Sequence, residues 1–219
     1  MTMHTDLHSL VMDHPKLLVR QHKEWTEIFI DWETRNRYAV YTPDRIGGEK
    51  LAIIAERAGG LWSHLRRWFL RSHRPLEIDV LTGAGQKLLH FTRDFFWFFS
   101  DLDVMTGEKE KLGSIHRRFA FFYKIYDLRD TNGRDFARIE SPFWRLWTFP
   151  VIGTDAVISK SWGGALREVF TDADTYCVDF GNRTWTPDER AILFAAAISI
   201  DFDYFENNQG RKGLFSNQT

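Results

Sequence analysis

The stretch Thr186-Pro-Asp-Glu-Arg-Ala-Ile-Leu-Phe-Ala-Ala-Ala-Ile-Ser-Ile-Asp-Phe-Asp-Tyr-Phe205 decides how the rest of the chain must fold. Thr186 is a good N-cap, Pro187 suits the first helical position, and Glu189 stands where a capping box places its acid, so a helix starts here. From Ala191 to Ile200 that helix is apolar on every face. Such a helix has to be enclosed, because none of its sides can face water. This ten-residue run is about half of the ~18–20 residues needed to cross hydrocarbon, so the enclosure is expected to be protein. With strand signals filling the rest of the chain, a closed sheet is the natural surround. Residues 187–205 are then its central helix, with Ile192, Leu193, Phe194, Ile198, Ile200 and Phe202 as its filling.

The strand signals come as strand–turn–strand units upstream of the helix. Residues 25–31 and 37–41 flank one polar turn, 76–81 and 86–91 flank Thr82-Gly-Ala-Gly85, and 123–128 and 136–139 flank Asp130-Thr-Asn-Gly133. Asn-Gly between alternating runs is a strong hairpin signal, and the alternation predicts that each strand buries one face. One other segment reads as a helix, Leu61–Ser72, with Leu61, Trp62, Leu65, Trp68 and Phe69 on one arc. Residues 1–20 read as a loosely ordered N-terminal arm, 21–206 as the folded domain and 207–219 as a polar tail.

Composition narrows the partners. The 219 residues are 16% aromatic, with 19 Phe and 9 Trp, which suits strands and also suits a protein that meets lipid. The 29 basic and 30 acidic residues nearly cancel, so the basic excess of a nucleic-acid binder is absent. Cys177 is the single cysteine, which excludes an internal disulfide and predicts a reducing, cytoplasmic setting. The first twenty residues have no apolar run of the kind a secretory signal needs.

Three blocks give the chain a family likeness: Ile158-Ser-Lys-Ser-Trp162, Leu166-Arg-Glu-Val-Phe-Thr-Asp-Ala-Asp174, and the helix end Ile200-Asp-Phe-Asp-Tyr-Phe-Glu206, with Arg74-Pro-Leu76 in support. Together they resemble the phospholipid scramblase family. The resemblance implies a tubby-like fold: a closed antiparallel barrel of about twelve strands around a hydrophobic C-terminal helix. It also implies phospholipids as partners, calcium dependence, and a peripheral place on the inner face of the plasma membrane. Where better-known relatives carry an acylated cysteine cluster, this chain reads Asp94-Phe-Phe-Trp-Phe-Phe-Ser100, without a cysteine.

Three candidate sites follow. Asp172, Asp174 and Asp179 could bind calcium weakly; counted as an EF-hand from Asp172, the twelfth position is Arg183 instead of a bidentate acid. Trp62, Arg66, Arg67, Trp68, Phe69 and Arg71 could lie on an anionic membrane, apolar arc down, or form a surface helix packed on the barrel. Phe95, Phe96, Trp97, Phe98 and Phe99 could insert at headgroup level, or form a strand buried on both faces. Asp201 and Asp203 are read as solvated or capped acids at the barrel rim.

Conventional catalysis finds no footing: the eight histidines have no metal spacing, and there is no G-x-S-x-G elbow or phosphate loop. No small-molecule substrate is indicated. Two functions remain: energy-independent movement of phospholipids between leaflets, or a peripheral module that binds phospholipid or another ligand without moving it. The first needs a polar path through hydrocarbon, which an oligomer, bilayer distortion or release of the helix could supply.

Overall fold

The computed structural model describes residues 2–21, 34–43, 48–57, 76–94, 100–118, 120–145, 147–160 and 175–204. Helix α1 (Thr2–Met12) leads into twelve strands: β1 (Lys16–Gln21), β2 (Thr34–Tyr41), β3 (Lys50–Arg57), β4 (Leu76–Leu81), β5 (Lys87–Arg93), β6 (Ser100–Thr106), β7 (Lys111–Arg118), β8 (Tyr123–Asp130), β9 (Asp135–Pro142), β10 (Thr148–Pro150), β11 (Val157–Lys160) and β12 (Thr175–Asp179). Helix α2 (Pro187–Tyr204) follows.

Each strand pairs antiparallel with the next in sequence except β9 with β10, and β12 returns to pair with β1 through Lys16↔Asp179 to Arg20↔Thr175. At the remaining seam an isolated bridge joins Ile139 to Val151, and the Ile152 N–H donates to the Arg138 carbonyl over 2.8 Å. The sheet is therefore an up-and-down barrel, whose closure removes the exposed edges of an open sheet.

Alternation sets the two faces of the wall. Leu17 and Val19, Tyr38 and Val40, Ala52 and Ile54, Ile78 and Val80, Leu102 and Val104, Tyr126 and Leu128, and Tyr176 and Val178 point inward into one core. α2 fills that core, and Ile192, Leu193, Phe194, Ile198, Ile200 and Phe202 are all buried. The capping box forms as the spacing requires. The Thr186 N–H donates to Glu189 Oε2 over 2.7 Å, and the Glu189 N–H donates to Thr186 Oγ1 over 3.2 Å. Gly113 on β7 has no room for a side chain: a Cβ there would lie 2.6 Å from Ile192 Cδ1.

The N-terminal segment departs from the expected loose arm. α1 buries Leu7, Leu10 and Val11 in the core, and β1 is the strand that closes the barrel between β12 and β2. Arg190 of α2 ties α1 down by donating to the carbonyls of Val11 and His14. The physical reason is non-local: a six-residue strand with two polar ends becomes stable only when partners lie on both sides.

The expected strands at 76–81, 86–91, 123–128 and 136–139 correspond to β4, β5, β8 and β9. The β8–β9 turn forms around Asp130, whose carboxylate accepts the N–H groups of Asn132 and Arg134, with Gly133 left-handed at φ 76°. Residues 25–31 lie outside the described residues, and the observed sheet partners of β2 are β1 and β3.

Candidate functional site

Strand direction sorts the molecule into two ends. β1 and every odd-numbered strand run one way and the even-numbered strands return, so α2, which follows β12, starts at the end where β1 starts. At this first end the connections are short polar turns, such as Thr82–Gln86, Gly107–Glu110 and Thr131–Arg134, and α1 packs there. At the second end arrive the C-terminus of α2 and the connections from each odd strand to the next even one.

Below that second end the core changes character. Asp201 and Asp203 of α2 are not solvated rim acids: they are only 6% and 7% exposed, inside the wall. Two residues along a helix turn about 200°, so the two carboxylates point to opposite sides of the barrel. Asp201 accepts a hydrogen bond from Tyr38 Oη of β2 over 2.6 Å and another from Tyr176 Oη of β12. Asp203 accepts from Arg93 Nη1 of β5 and Tyr126 Oη of β8, each over 2.9 Å, with Arg117 Nη1 of β7 at 3.5 Å. A buried carboxylate is tolerable only with such partners. Together they fix both the depth and the rotation of α2.

Two lysines belong to the same layer. Lys124 is 2% exposed, lies 5.0 Å from the Phe149 ring centroid and 6.0 Å from that of Phe143, and donates to the Arg145 carbonyl over 3.4 Å. Burial pushes its ammonium below the usual lysine range. Lys160 sits 5.1 Å from the Tyr176 ring and 5.9 Å from that of Trp147. In both places an aromatic face takes over part of the solvation that water would give.

Above this layer the surface is aromatic. Phe121 (80% exposed) and Phe122 (69%) lead into β8, and Phe143 (41%) and Trp144 (71%) follow β9, with Tyr123 between them. The two connections are adjacent: the Phe143 N–H donates to the Phe122 carbonyl over 3.0 Å, and the Tyr123 and Trp144 rings lie 6.3 Å apart. Sequence reading missed these four rings, because paired aromatics look like core until the strand ends are known.

The outer wall of β6–β9 is charged. Lys111 pairs with Asp103 at 2.8 Å, Arg138 with Asp127 at 2.6 Å and Arg129 with Asp135 at 2.8 Å, and His116 meets Asp101. Surface pairs of this kind add little stability. Their meaning is that this wall faces water, since a barrel lying in lipid turns its apolar residues outward. Among the described residues, no helix is long and apolar enough to cross a membrane.

Of the expected metal residues, Asp179 is described: its carboxylate pairs with Lys16 at 2.7 Å and accepts the Gly181 N–H over 3.1 Å. Asp172 and Asp174 lie outside the described residues, as do Trp62, Arg66, Arg67, Trp68, Phe69 and Arg71 and the whole of Phe95–Phe99. The strand ends nevertheless fix where these segments leave and re-enter the sheet. Residues 58–75 join β3 to β4, 95–99 join β5 to β6, and 161–174 join β11 to β12, all at the second end. One further buried cluster, Asp79 with His90 Nδ1 at 2.7 Å and Lys87 Nζ at 3.0 Å, lies on the outer side of β4–β5. It is an ion-paired patch of wall away from either mouth.

Comparison with known proteins adds a family. The family profile described as Scramblase matches residues 2–207. The chain is 26% identical to altered inheritance rate of mitochondria protein 25 of Saccharomyces cerevisiae, over 97% of this chain and 77% of that one. It is also 26% identical to a phospholipid scramblase family protein of Schizosaccharomyces pombe, over 90% of this chain and 61% of that one. A shorter match, 40% identical over 24% of this chain and 17% of the other, is to human phospholipid scramblase 2. No solved structure matches it.

Proposed function

Since the chain belongs to the scramblase family, we propose that it acts on phospholipids from the surface of a membrane and promotes their energy-independent movement between leaflets. The observation that carries the surface part of this reading is the polarity of the wall, apolar inside around α2 and ion-paired outside on β6–β9. A headgroup crossing hydrocarbon needs polar partners along its way. The barrel axis is filled by Ala191–Phe202, and its buried carboxylate, Asp201, is already engaged by Tyr38 and Tyr176, so movement of lipid follows from bilayer distortion at the point of contact, or from several copies acting together. No hydrolytic step is involved.

Calcium fits this reading only loosely. Asp172, Asp174 and Asp179 would hold it, and what it would supply is positive charge for an anionic headgroup. Asp179 already has a cationic partner in Lys16, so calcium must compete with an ammonium group. The expected affinity is therefore weak, on the order of 10⁻⁴–10⁻³ M. Cytoplasmic placement, peripheral on the inner face of the plasma membrane, completes the proposal.

A second reading is favoured by the sealed core: a module that binds phospholipid membranes without moving lipid. Purified protein added to vesicles carrying fluorescent lipid, with and without calcium and paired with flotation, separates the two. Leaflet exchange with flotation supports the first reading. Flotation without exchange supports the second, and the absence of both flotation and exchange removes the lipid role.

A further inference from the structure

The aromatic rings at the second end form an exposed surface of unusual kind. Single exposed apolar residues need no explanation, whereas several together mark a contact surface. Among the described residues, five of the six exposed large hydrophobic side chains, Phe121, Phe122, Tyr123, Phe143 and Trp144, stand on two neighbouring connections; the sixth, Ile152, lies on the β10–β11 turn.

The sign of the partner can be read from the same segments. Residues 117–124 and 141–147 hold no acid. Arg117 leans on Asp203, Lys124 is buried and Arg118 stands 3.6 Å from Asp127, so the outward positive charge rests on Arg118 and Arg145 and suits an anionic partner. Arg118 and Arg145 are exposed beside the rings. Large amphipathic rings flanked by arginines match the headgroup layer of a bilayer, where the rings sit at the acyl boundary and the guanidinium groups meet phosphate.

The other connections at this end point the same way in sequence. Of the nine tryptophans, Trp25, Trp32, Trp62, Trp68, Trp97, Trp144, Trp147 and Trp162 fall in segments that join an odd strand to the next even one, and Trp185 alone falls at the other end. A protein partner would require only one complementary patch. In sequence, tryptophan occurs in five of the six connections from an odd strand to the next even one, a spread that suits a continuous surface such as a bilayer.

We propose that the rim formed by Phe121, Phe122, Phe143 and Trp144, with Arg118 and Arg145 beside it, docks the barrel end-on to anionic phospholipid bilayers. This rests on the membrane-surface reading above and names the face that meets the lipid. α2 stays latched inside, and the polar turns at the first end face away from the membrane.

The test uses the full chain and vesicles of phosphatidylcholine with or without phosphatidylserine. Cys177 is buried and its thiol is pushed up to about 11 by desolvation, so a cysteine introduced as Phe122→Cys can be labelled selectively with a polarity-sensitive dye. Thr131→Cys labels the opposite end as a control. Anionic vesicles should shift the emission of the dye at position 122 to the blue and leave that at 131 unchanged.

Phe121→Ser with Phe122→Ser and Trp144→Ser should lower vesicle affinity by more than tenfold, with an unaltered unfolding midpoint. Arg118→Glu with Arg145→Glu should cost about fivefold per residue, on phosphatidylserine vesicles only. If the wild type floats and the triple variant floats equally, or both dyes shift alike, the docking face is wrong while the membrane reading stands. If the wild type does not bind vesicles, both fall. Self-association lost in the triple variant, without vesicle binding, would mean that the rim joins two copies of this chain.

Discussion

The two ends of the barrel are made from the same strands and solve opposite problems. At the first end the chain turns in a few residues, with Asp130 and Gly133 holding one hairpin and the Thr186–Glu189 box starting α2. At the second end it spends longer segments, exposes Phe121, Phe122 and Trp144, and buries Asp201 and Asp203 beneath them. Turns need only local chemistry. An end that meets another phase needs apolar groups outside, and a latch inside so that α2 does not follow its own hydrophobicity outward. The difference teaches that a helix apolar enough to suggest a membrane anchor is sealed inside the sheet and latched there.

The largest expected effect breaks the latch. Asp203→Ala leaves Arg93 buried without its carboxylate, and removing one partner of such a pair costs about 3–5 kcal/mol in urea unfolding. A loss below 1 kcal/mol would mean that α2 is held by apolar packing alone.

The wall between the ends gives the next effect, through pH. Desolvation raises the Cys177 thiol from 9.0 to about 11. The folded state therefore keeps a proton that the unfolded state has released in this window. The associated stability is fully present below pH 9 and is lost as pH rises through about 11, amounting to about 2–3 kcal/mol relative to Cys177→Ala. Parallel stability curves for the two proteins across that range would show that the thiol is not buried on the outer side of β12.

A smaller effect belongs to the first end. Thr186→Ala removes the cap of α2 and should cost about 1 kcal/mol with no change in vesicle binding. The smallest belongs to the second end: Phe121→Ser or Phe122→Ser should change folding stability by less than about 0.5 kcal/mol. A large loss there would make these rings core and erase the contrast between the ends.

Legibility in the sequence followed the range of the interactions. α2 was plain because its cap is local and its apolar run has no polar face. β4, β5, β8 and β9 were plain because alternation and Gly-containing turns lie within a dozen residues of each other. β1 was hidden because its partners are residues 175–179 and 38–41, remote in sequence. The acids of α2 were visible, but the partners that make them buried latches were not, since Tyr38 lies 163 residues from Asp201. The aromatic rim was hidden for a third reason. Phe121-Phe122 and Phe143-Trp144 have the composition of core, and only the positions where β8 starts and β9 ends put them at the surface.

The central claim is that α2 is enclosed by sheet and remains so when the protein meets a bilayer. Native-state hydrogen exchange of the α2 amides, with and without anionic vesicles, tests it most directly. The enclosed helix predicts that amides from Ala195 to Asp203 exchange only through global unfolding, at rates that vesicles do not raise. Fast exchange in the free protein, or protection that collapses or changes pattern once vesicles are added, would contradict it.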